Sequence, residues 1–379
     1  MHIAHRHIAA SEPPYIIAEL GVNHDGSLER AVSMTHAAAR AGANAIKLQL
    51  FDAGMLMSRA CRLAGYQASA GETDPIAMLQ RLQLTPEQLG RVADCAHSLK
   101  MHAIVTVFSV ELVPRAQWLP FDAYKTASPD ITHKPLLKAL EETGRPIILS
   151  TGASTLQEVG RALSWLRDAR ERTAVLQCVS SYPTPVEHAE FGGIGAIQEI
   201  FDGPVGYSDH TESVEAGAAA VLAGACVLEK HMTWSRSAPG PDHRASLTPE
   251  MFHEYRNLAH AAMQRCWPRA SADADRIIAP FENLTAAQAR VLDDWSERLS
   301  KMDRAKRVLD IEHDVRTVSR QSVVARRDLP EGAVLRREDL AVKRPGTGVP
   351  AWEFDRLIGA RLRQPVRVDE PIPAHAVSL

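Results

Sequence analysis

The chain has 379 residues, is 45% hydrophobic and 23% charged, and carries a formal net charge of −3. That length is enough for about two domains with a sizeable core, and the near-neutral balance excludes bulk attraction to nucleic acid or another polyanion, so any anion must be held by a few placed cations. No stretch approaches the roughly 20 apolar residues of a membrane helix, and Met1–Pro14 lacks the apolar run of a signal peptide, so the expected location is the cytoplasm, with no membrane partner. Five cysteines (Cys61, Cys95, Cys178, Cys226, Cys266) match no zinc or redox spacing and read as buried or idle thiols.

Through residue 265 short β-type runs alternate with helical stretches. The expected strands are Tyr15–Leu20, Ala45–Leu50, Ala103–Phe108, Ala123–Ala127, Pro146–Ser150, Ala174–Cys178, Val205–Ser208 and Cys226–His231. Several are Val/Ile/Leu-rich without alternation, as in strands buried on both faces. The helical patterns between them include Leu28–Ala41, Pro86–Lys100, Leu156–Arg167, Val214–Leu222 and Pro249–Arg265, opened by candidate caps Ser27, Thr85, Ser154, Ser213 and Thr248. Eight such units predict a (β/α)₈ TIM barrel over residues 1–268, and the strand count disfavours a doubly wound open sheet. Asp52–Leu84 is long for a strand-to-helix loop and is expected to cover the barrel mouth. Residues 269–315 read as a helical linker, with an amphipathic stretch at Leu284–Leu309. Ser322–Ala325 and Leu340–Val342, set among Gly/Pro turns, predict a small β-rich domain at 316–379.

Catalytic groups of a (β/α)₈ barrel project from the C-terminal strand ends. Here those ends carry Glu19; Lys47 and Gln49; Thr106; Lys125 and Ser128; Ser150 to Ser154; Ser180, Ser181 and Tyr182; Ser208, Asp209 and His210; and Glu229, Lys230 and His231. Singly, a strand lysine can snorkel and a histidine is more often structural than a ligand. Together they read differently. Lys47 and Lys125 lie in apolar strands, where an unpaired ammonium is costly, which suggests a bound anion. Ser150–Ser154 opens a helix, where N–H groups and hydroxyls suit phosphate. His210 and His231 end adjacent strands and could meet one divalent cation with positions left open for substrate. Glu19 faces them as a carboxylate able to move a proton, and Asp242 in the following loop could reach sugar hydroxyls.

These residues lie in stretches that resemble the sialic acid (nonulosonic acid) synthases: AELGVNHDGSLERA (18–31), IKLQLF (46–51), YKTASPDITHKPLL (124–137), STGAS (150–154), SSYPTP (180–185), GYSDHT (206–211), EKHMT (229–233) and GPDHRASLTP (240–249). SVVARRDLPEGAVLRREDLAVKRPGTGV (322–349) is similar to that family's antifreeze-like (SAF) domain. The resemblance implies condensation of phosphoenolpyruvate with an N-acetylmannosamine-type aldehyde. It implies a divalent metal on His210 and His231, typically manganese, though a two-imidazole shell also admits magnesium or cobalt. It places Lys47, Thr106, Lys125 and Ser154 on or near the phosphoenolpyruvate positions, and Gln49, Tyr182 and Asp242 on the acceptor. Glu19 matches the catalytic glutamate, and the expected catalytic set is Glu19, Lys47, Lys125 and Glu229, with Ser128, Asp130 and Ser180 also contacting substrate. Arg344 matches an arginine that reaches the other subunit's barrel, which implies a domain-swapped homodimer. The chain departs from the family pattern at Asp130, at His133 (usually asparagine), at Ser180, in its TGA step and in its longer connector. The alternatives are a related condensing enzyme for another aldose and an inactive carbohydrate-binding homologue.

Overall fold

In the computed structural model, which describes residues 1–266 and 284–377, eight parallel strands close into a barrel. They are β1 (Tyr15–Glu19), β2 (Ala45–Leu50), β3 (His102–Val107), β4 (Ala123–Thr126), β5 (Ile147–Ser150), β6 (Thr173–Cys178), β7 (Val205–Asp209) and β8 (Val227–His231). Each expected strand is present to within one residue at either end. The closure of β8 onto β1, pairing His231 with Glu19, removes the open-sheet alternative.

The period-two alternation of each strand explains how a buried barrel carries a polar site. One parity (Ile16, Ala18, Ile46, Leu48, Val105, Leu149, Val175, Leu228) packs outward against the helices in the main core. The other parity fills the barrel bottom with Tyr15, Ile17, Ala45, Ile104, Ala123, Ile148, Ala174 and Val227. Continued toward the C-terminal ends, that inward parity turns polar: Glu19, Lys47, Gln49, Thr106, Lys125, Ser150, Ser208, Glu229 and His231 all line one cavity. Lys230, of the outward parity, is fully buried and pairs with Asp209 at 3.3 Å behind the wall, so it serves the scaffold.

The helix from Leu28 to Ala41 starts at Ser27, whose hydroxyl accepts the Arg30 N–H, and ends at Gly42 in the left-handed region. Thr85 caps Pro86–Ser98 with a capping box. Two expected caps shift. Thr155, not Ser154, caps Leu156–Trp165, because its hydroxyl meets Glu158 N while the Glu158 carboxylate returns to Thr155 N. The helix after β7 begins at Ala216, and Ser213 instead accepts the Glu215 N–H inside the preceding turn.

Between β2 and the Pro86 helix, the covering segment forms three short helices, Ala53–Leu56, Gly65–Ser69 and Pro75–Leu82. Of the expected linker, residues up to 283 lie outside the described part. Beyond it the amphipathic stretch is helical only over Ala286–Ser300, with Leu292 and Trp295 buried and the Trp295 indole donating to Glu215 at 3.0 Å. The chain then crosses the barrel rim to the helix His313–Ser319. The C-terminal domain pairs β9 (Ser322–Ala325) antiparallel with β10 (Leu340–Lys343) and has its own core, centred on Val323, Leu329, Leu340, Leu357 and Ile372. It docks over the barrel mouth, where Arg344 N donates to Leu56 O (2.9 Å) and Ser58 N to Arg344 O (3.1 Å). Among the described residues no helix is long and apolar enough to cross a membrane.

Candidate active site

The cavity at the C-terminal end of the barrel joins two polar regions. The first is a cluster of paired charges. Glu19, fully buried, touches Lys47 Nζ at 2.7 Å and accepts the Gln49 amide N–H at 2.9 Å. Glu229 lies between Lys47 (3.7 Å) and Lys125 (3.5 Å). Lys47 donates to Thr106 Oγ1 at 2.9 Å, and Lys125 to Thr126 O at 2.9 Å. The lysines are therefore not unpaired, as the apolar strand context suggested; their carboxylate partners arrive from β1 and β8. Burial pushes the Glu19 carboxyl up to about 6, with Lys47 pulling the other way. Burial also works to raise Glu229, but Lys125 and Lys47 outweigh it and hold it below the usual range. Burial lowers Lys125, with Glu229 only partly opposing.

Beside the lysines stands a row of hydroxyls from four consecutive strand ends, Ser128, Ser150, Ser180 and Ser208, all lining the cavity. Ser128 Oγ donates to Ser150 Oγ (3.1 Å) and accepts the Gly152 N–H (3.0 Å). Gly152 is required here, since a Cβ would lie 2.2 Å from Ser180 Oγ and 2.8 Å from Ser128 Oγ. Two ammonium groups and four hydroxyls match a phosphate and a carboxylate.

The second region is built by β7 and β8. The His210 and His231 rings are 5.5 Å apart, and Tyr182 packs on His210 at 4.0 Å. His210 Nδ1 lies 2.8 Å from Val179 O, which leaves Nε2 as the ligating nitrogen. His231 Nδ1 is buried without a hydrogen-bond partner, with Asp242 Oδ2 at 3.8 Å. Burial, then His210 and Lys47, drive His231 well below its ordinary value, so it is a neutral imidazole, the form that binds metal. Among the described residues no cluster of three or more His, Cys, Asp or Glu could enclose an ion. The donors that face one another here are two imidazoles, with the Asp242 carboxylate beside His231.

Of the residues expected in the site, Glu19, Lys47, Gln49, Thr106, Lys125, Ser128, Ser180, Tyr182, His210, Glu229, His231, Asp242 and Arg344 line this cavity. Two do not. Ser154 is fully buried with its hydroxyl on Gly152 O, because the turn after β5 carries it below the rim; Ser150, on the inward parity, takes the place. Asp130 is buried beneath the C-terminal domain and accepts the Gln321 amide N–H at 2.8 Å. His133 also stays outside, its Nδ1 capping Lys134–Glu142 through Leu136 N at 3.2 Å. Cys178 is buried beside His210 and Ser128. Within the single chain Arg344 lines the barrel cavity, where the C-terminal domain docks through Leu56 and Ser58. The sequence reading placed Ser150 and Ser208 at strand ends, and Ser150 in the phosphate-suited segment, but named neither as a substrate contact, which strand parity would have done. It also missed Tyr66, which stacks on Tyr182 at 4.9 Å, and Glu312, which no local pattern marks.

An eight-stranded barrel that gathers lysines, hydroxyls and two neighbouring imidazoles in one cavity at its C-terminal mouth has the layout of an enzyme active site. Residues 34–265 match the NeuB family and residues 320–378 the SAF domain, and the chain belongs to the NeuB family. It is 32% identical to the N,N'-diacetyllegionaminic acid synthase of Legionella pneumophila, over 92% of this chain and 90% of that protein. The enzyme of that name from Campylobacter jejuni is 30% identical, over 94% and 98%. The crystal structure of the spore coat polysaccharide biosynthesis protein SpsE from Bacillus subtilis superposes with a TM-score of 0.78 at 26% identity, covering 100% of this chain and 99% of that one.

Proposed function

We propose that this protein condenses phosphoenolpyruvate with the open-chain aldehyde of an amino sugar, giving a nonulosonic acid and inorganic phosphate. The observation that carries the reading is the meeting, in one cavity, of a lysine–serine anion cradle with an open two-histidine pair and the buried Glu19. Phosphoenolpyruvate C3 forms the new bond to the aldehyde carbon. Water adds at C2, and the C2–O bond to phosphate breaks to leave the 2-keto acid. Lys47 and Thr106 are placed for the carboxylate of phosphoenolpyruvate, and Lys125 with Ser128, Ser150, Ser180 and Ser208 for its phosphate.

His210 and His231 would hold a divalent cation, manganese by preference, which supplies Lewis-acid polarisation of the acceptor carbonyl. Glu19, raised toward neutrality yet tied to Lys47, is suited to take a proton from the attacking water. Glu229 keeps both lysines charged and oriented. Asp242, Gln49 and Arg344 are disposed for acceptor hydroxyl and amide groups. The relatives' printed names support an amino-sugar acid as product. The test is phosphate release that requires both phosphoenolpyruvate and an amino-sugar acceptor, with the product mass measured. Release that ignores the acceptor would reject the reading.

A further inference from the structure

The loops after β1 and after β8, which meet where the barrel closes, are tied to each other by side chains. His243 is buried between them. Its Nε2 lies 2.9 Å from Asp25 Oδ1 and its Nδ1 2.7 Å from Thr233 Oγ1. A carboxylate only accepts, so Nε2 carries the proton. Asp25 is itself held from outside: its other oxygen takes the Arg30 guanidinium and the Trp234 indole N–H (3.2 Å), and Arg30 lies over the Trp234 ring at 4.6 Å. Gly240 makes room for the imidazole, since a Cβ there would stand 2.9 Å from His243 Cδ2. A Thr–His–Asp series also suits a nucleophile. Here, however, Thr233 is fully buried, its hydroxyl accepts the Ser235 N–H at 3.0 Å, and neither Thr233 nor His243 is among the described residues that line the cavity. The series therefore binds loop to loop.

What this tether holds is the residue next to His243. Asp242 lines the cavity, and its Oδ2 is 3.8 Å from His231 Nδ1, too long for a hydrogen bond to aim it. Its backbone is fixed instead. The Asp242 carbonyl accepts the Ser246 hydroxyl at 2.6 Å, and Ser246 Oγ accepts the Asn23 amide N–H at 2.8 Å. The same Asn23 amide donates to Met232 O at 2.9 Å. One peptide unit thus has its carbonyl pinned through Asn23 and its following side chain pinned by Asp25. Both anchors come from the β1 loop, which the pairing of Glu19 with His231 sets beside β8. Cutting the Asp25–His243 bond leaves Asp242 on one anchor, and a carboxylate held at one point loses the pre-set direction that tight binding needs.

We propose that His243, with Asp25, is a positioning residue of the acceptor side of the site and acts through Asp242. This rests on the condensation reading above, in which Asp242 meets the acceptor. The experiment measures kcat and both KM values by phosphate release from phosphoenolpyruvate, with manganese, using the better of N-acetylmannosamine and a diacetamido-hexose as acceptor. His243→Ala and Asp25→Ala should each raise KM for the acceptor about tenfold or more, the worth of a charge-assisted hydrogen bond, with KM for phosphoenolpyruvate nearly unchanged. Asp25→Asn keeps an accepting oxygen for Nε2 and should recover most of the loss. The deciding comparison is made in Asp242→Ala: with that carboxylate gone, adding His243→Ala should raise KM for the acceptor no further, because two residues on one path do not add. If His243→Ala does not fold, Asp25→Ala in the same background makes the comparison. Additive rises, or equal rises in both KM values, overturn the proposal and leave the condensation intact. No release by the wild type with either sugar overturns the condensation reading, and the tether is then decided without turnover. In a crystal structure of the His243→Ala protein Asp242 should be displaced from His231, and an unmoved Asp242 overturns the proposal.

Discussion

The Glu312 carboxylate accepts the backbone N–H of Ser180 at 2.7 Å, across 132 residues of chain. The same oxygen takes the N–H of Ala153 at 2.6 Å, and the other oxygen takes Leu309 N at 2.9 Å. Glu312 is fully buried, and Ala153 sits at φ 50, a conformation that non-glycine residues rarely adopt. One connector side chain thus pins the two turns that follow β5 and β6, whose serines line the anion cradle.

Removing that carboxylate leaves buried N–H groups unanswered, at about 1–3 kcal/mol each. Glu312→Ala is therefore expected to lower stability by about 2–4 kcal/mol in a denaturant titration. KM for phosphoenolpyruvate should rise more than KM for the acceptor, because Ser150 and Ser180 both shift, whereas of the two imidazoles only His210 is disturbed, through Val179 O on the same peptide as Ser180 N. Equal rises in both would mean that Glu312 stabilises the fold without positioning the cradle.

Glu19→Gln keeps the side-chain shape and one acceptor oxygen but cannot take a proton. Turnover should fall by about 10²–10⁴, the usual worth of a general base, with phosphoenolpyruvate binding retained. With the carboxyl raised to about 6, the base is charged above that pH and protonated below it. The wild-type rate should therefore decline as pH drops through about 6. A rate at pH 5 equal to that at pH 7.5 would release Glu19 from the role.

Dialysis against a chelator should abolish turnover, and added manganese should restore it. His210→Ala and His231→Ala should each reduce bound manganese measured by elemental analysis, independently of activity. Full turnover of a metal-free protein would leave the paired imidazoles without their assigned task.

Most of this architecture was readable from local signals. Tyr15–Glu19 and Val227–His231 announce themselves by apolar runs that end in charge, and their inward parity turns Glu19 and His231 into the mouth; the register of β8 on β1, which no local signal gives, sets the two side by side. The slip from Ser150 to Ser154 shows the limit of motif reading: the hydroxyl nearest the helix looks best, yet strand parity decides which one faces the cavity. Glu312 and Tyr66 were invisible for another reason. Their roles depend on where a long connector and a long loop come to rest, which is set by packing against distant residues.

The connector is also held from outside. Arg320 and Arg316 both bond Glu158, at 2.7 and 2.9 Å, and both reach Ala153 O. Burial alone would raise Glu158, but the two guanidinium groups pull it down to about 2. A depressed carboxylate stabilises the fold above its unfolded value, near 4.5, and that contribution is lost as pH falls toward 2. Because Glu158 is only partly buried, the contribution after solvent screening is about 1 kcal/mol. The stability gap between wild type and Glu158→Gln should be present at pH 7 and shrink between pH 4.5 and 2. A gap that is constant across that range would assign the cost to packing, not charge.

Arg344 is joined to the covering segment of its own barrel through Leu56 O and Ser58 N, and Cys61 Sγ also donates to its carbonyl at 3.1 Å. The neighbouring Lys343 pairs with Asp369 at 2.6 Å, and Arg59 N donates to that same carboxylate at 2.9 Å, so the docking does not depend on one contact. Arg344→Ala should therefore leave the fold intact and raise KM for the acceptor about tenfold or more, the range for losing a charged hydrogen-bond donor. Mixing Arg344→Ala with Glu19→Gln subunits tells whose site the arginine serves: if it serves its own chain's barrel, mixing restores nothing. Recovered activity in verified mixed oligomers would show that each C-terminal domain completes its partner's barrel, as the family resemblance implied.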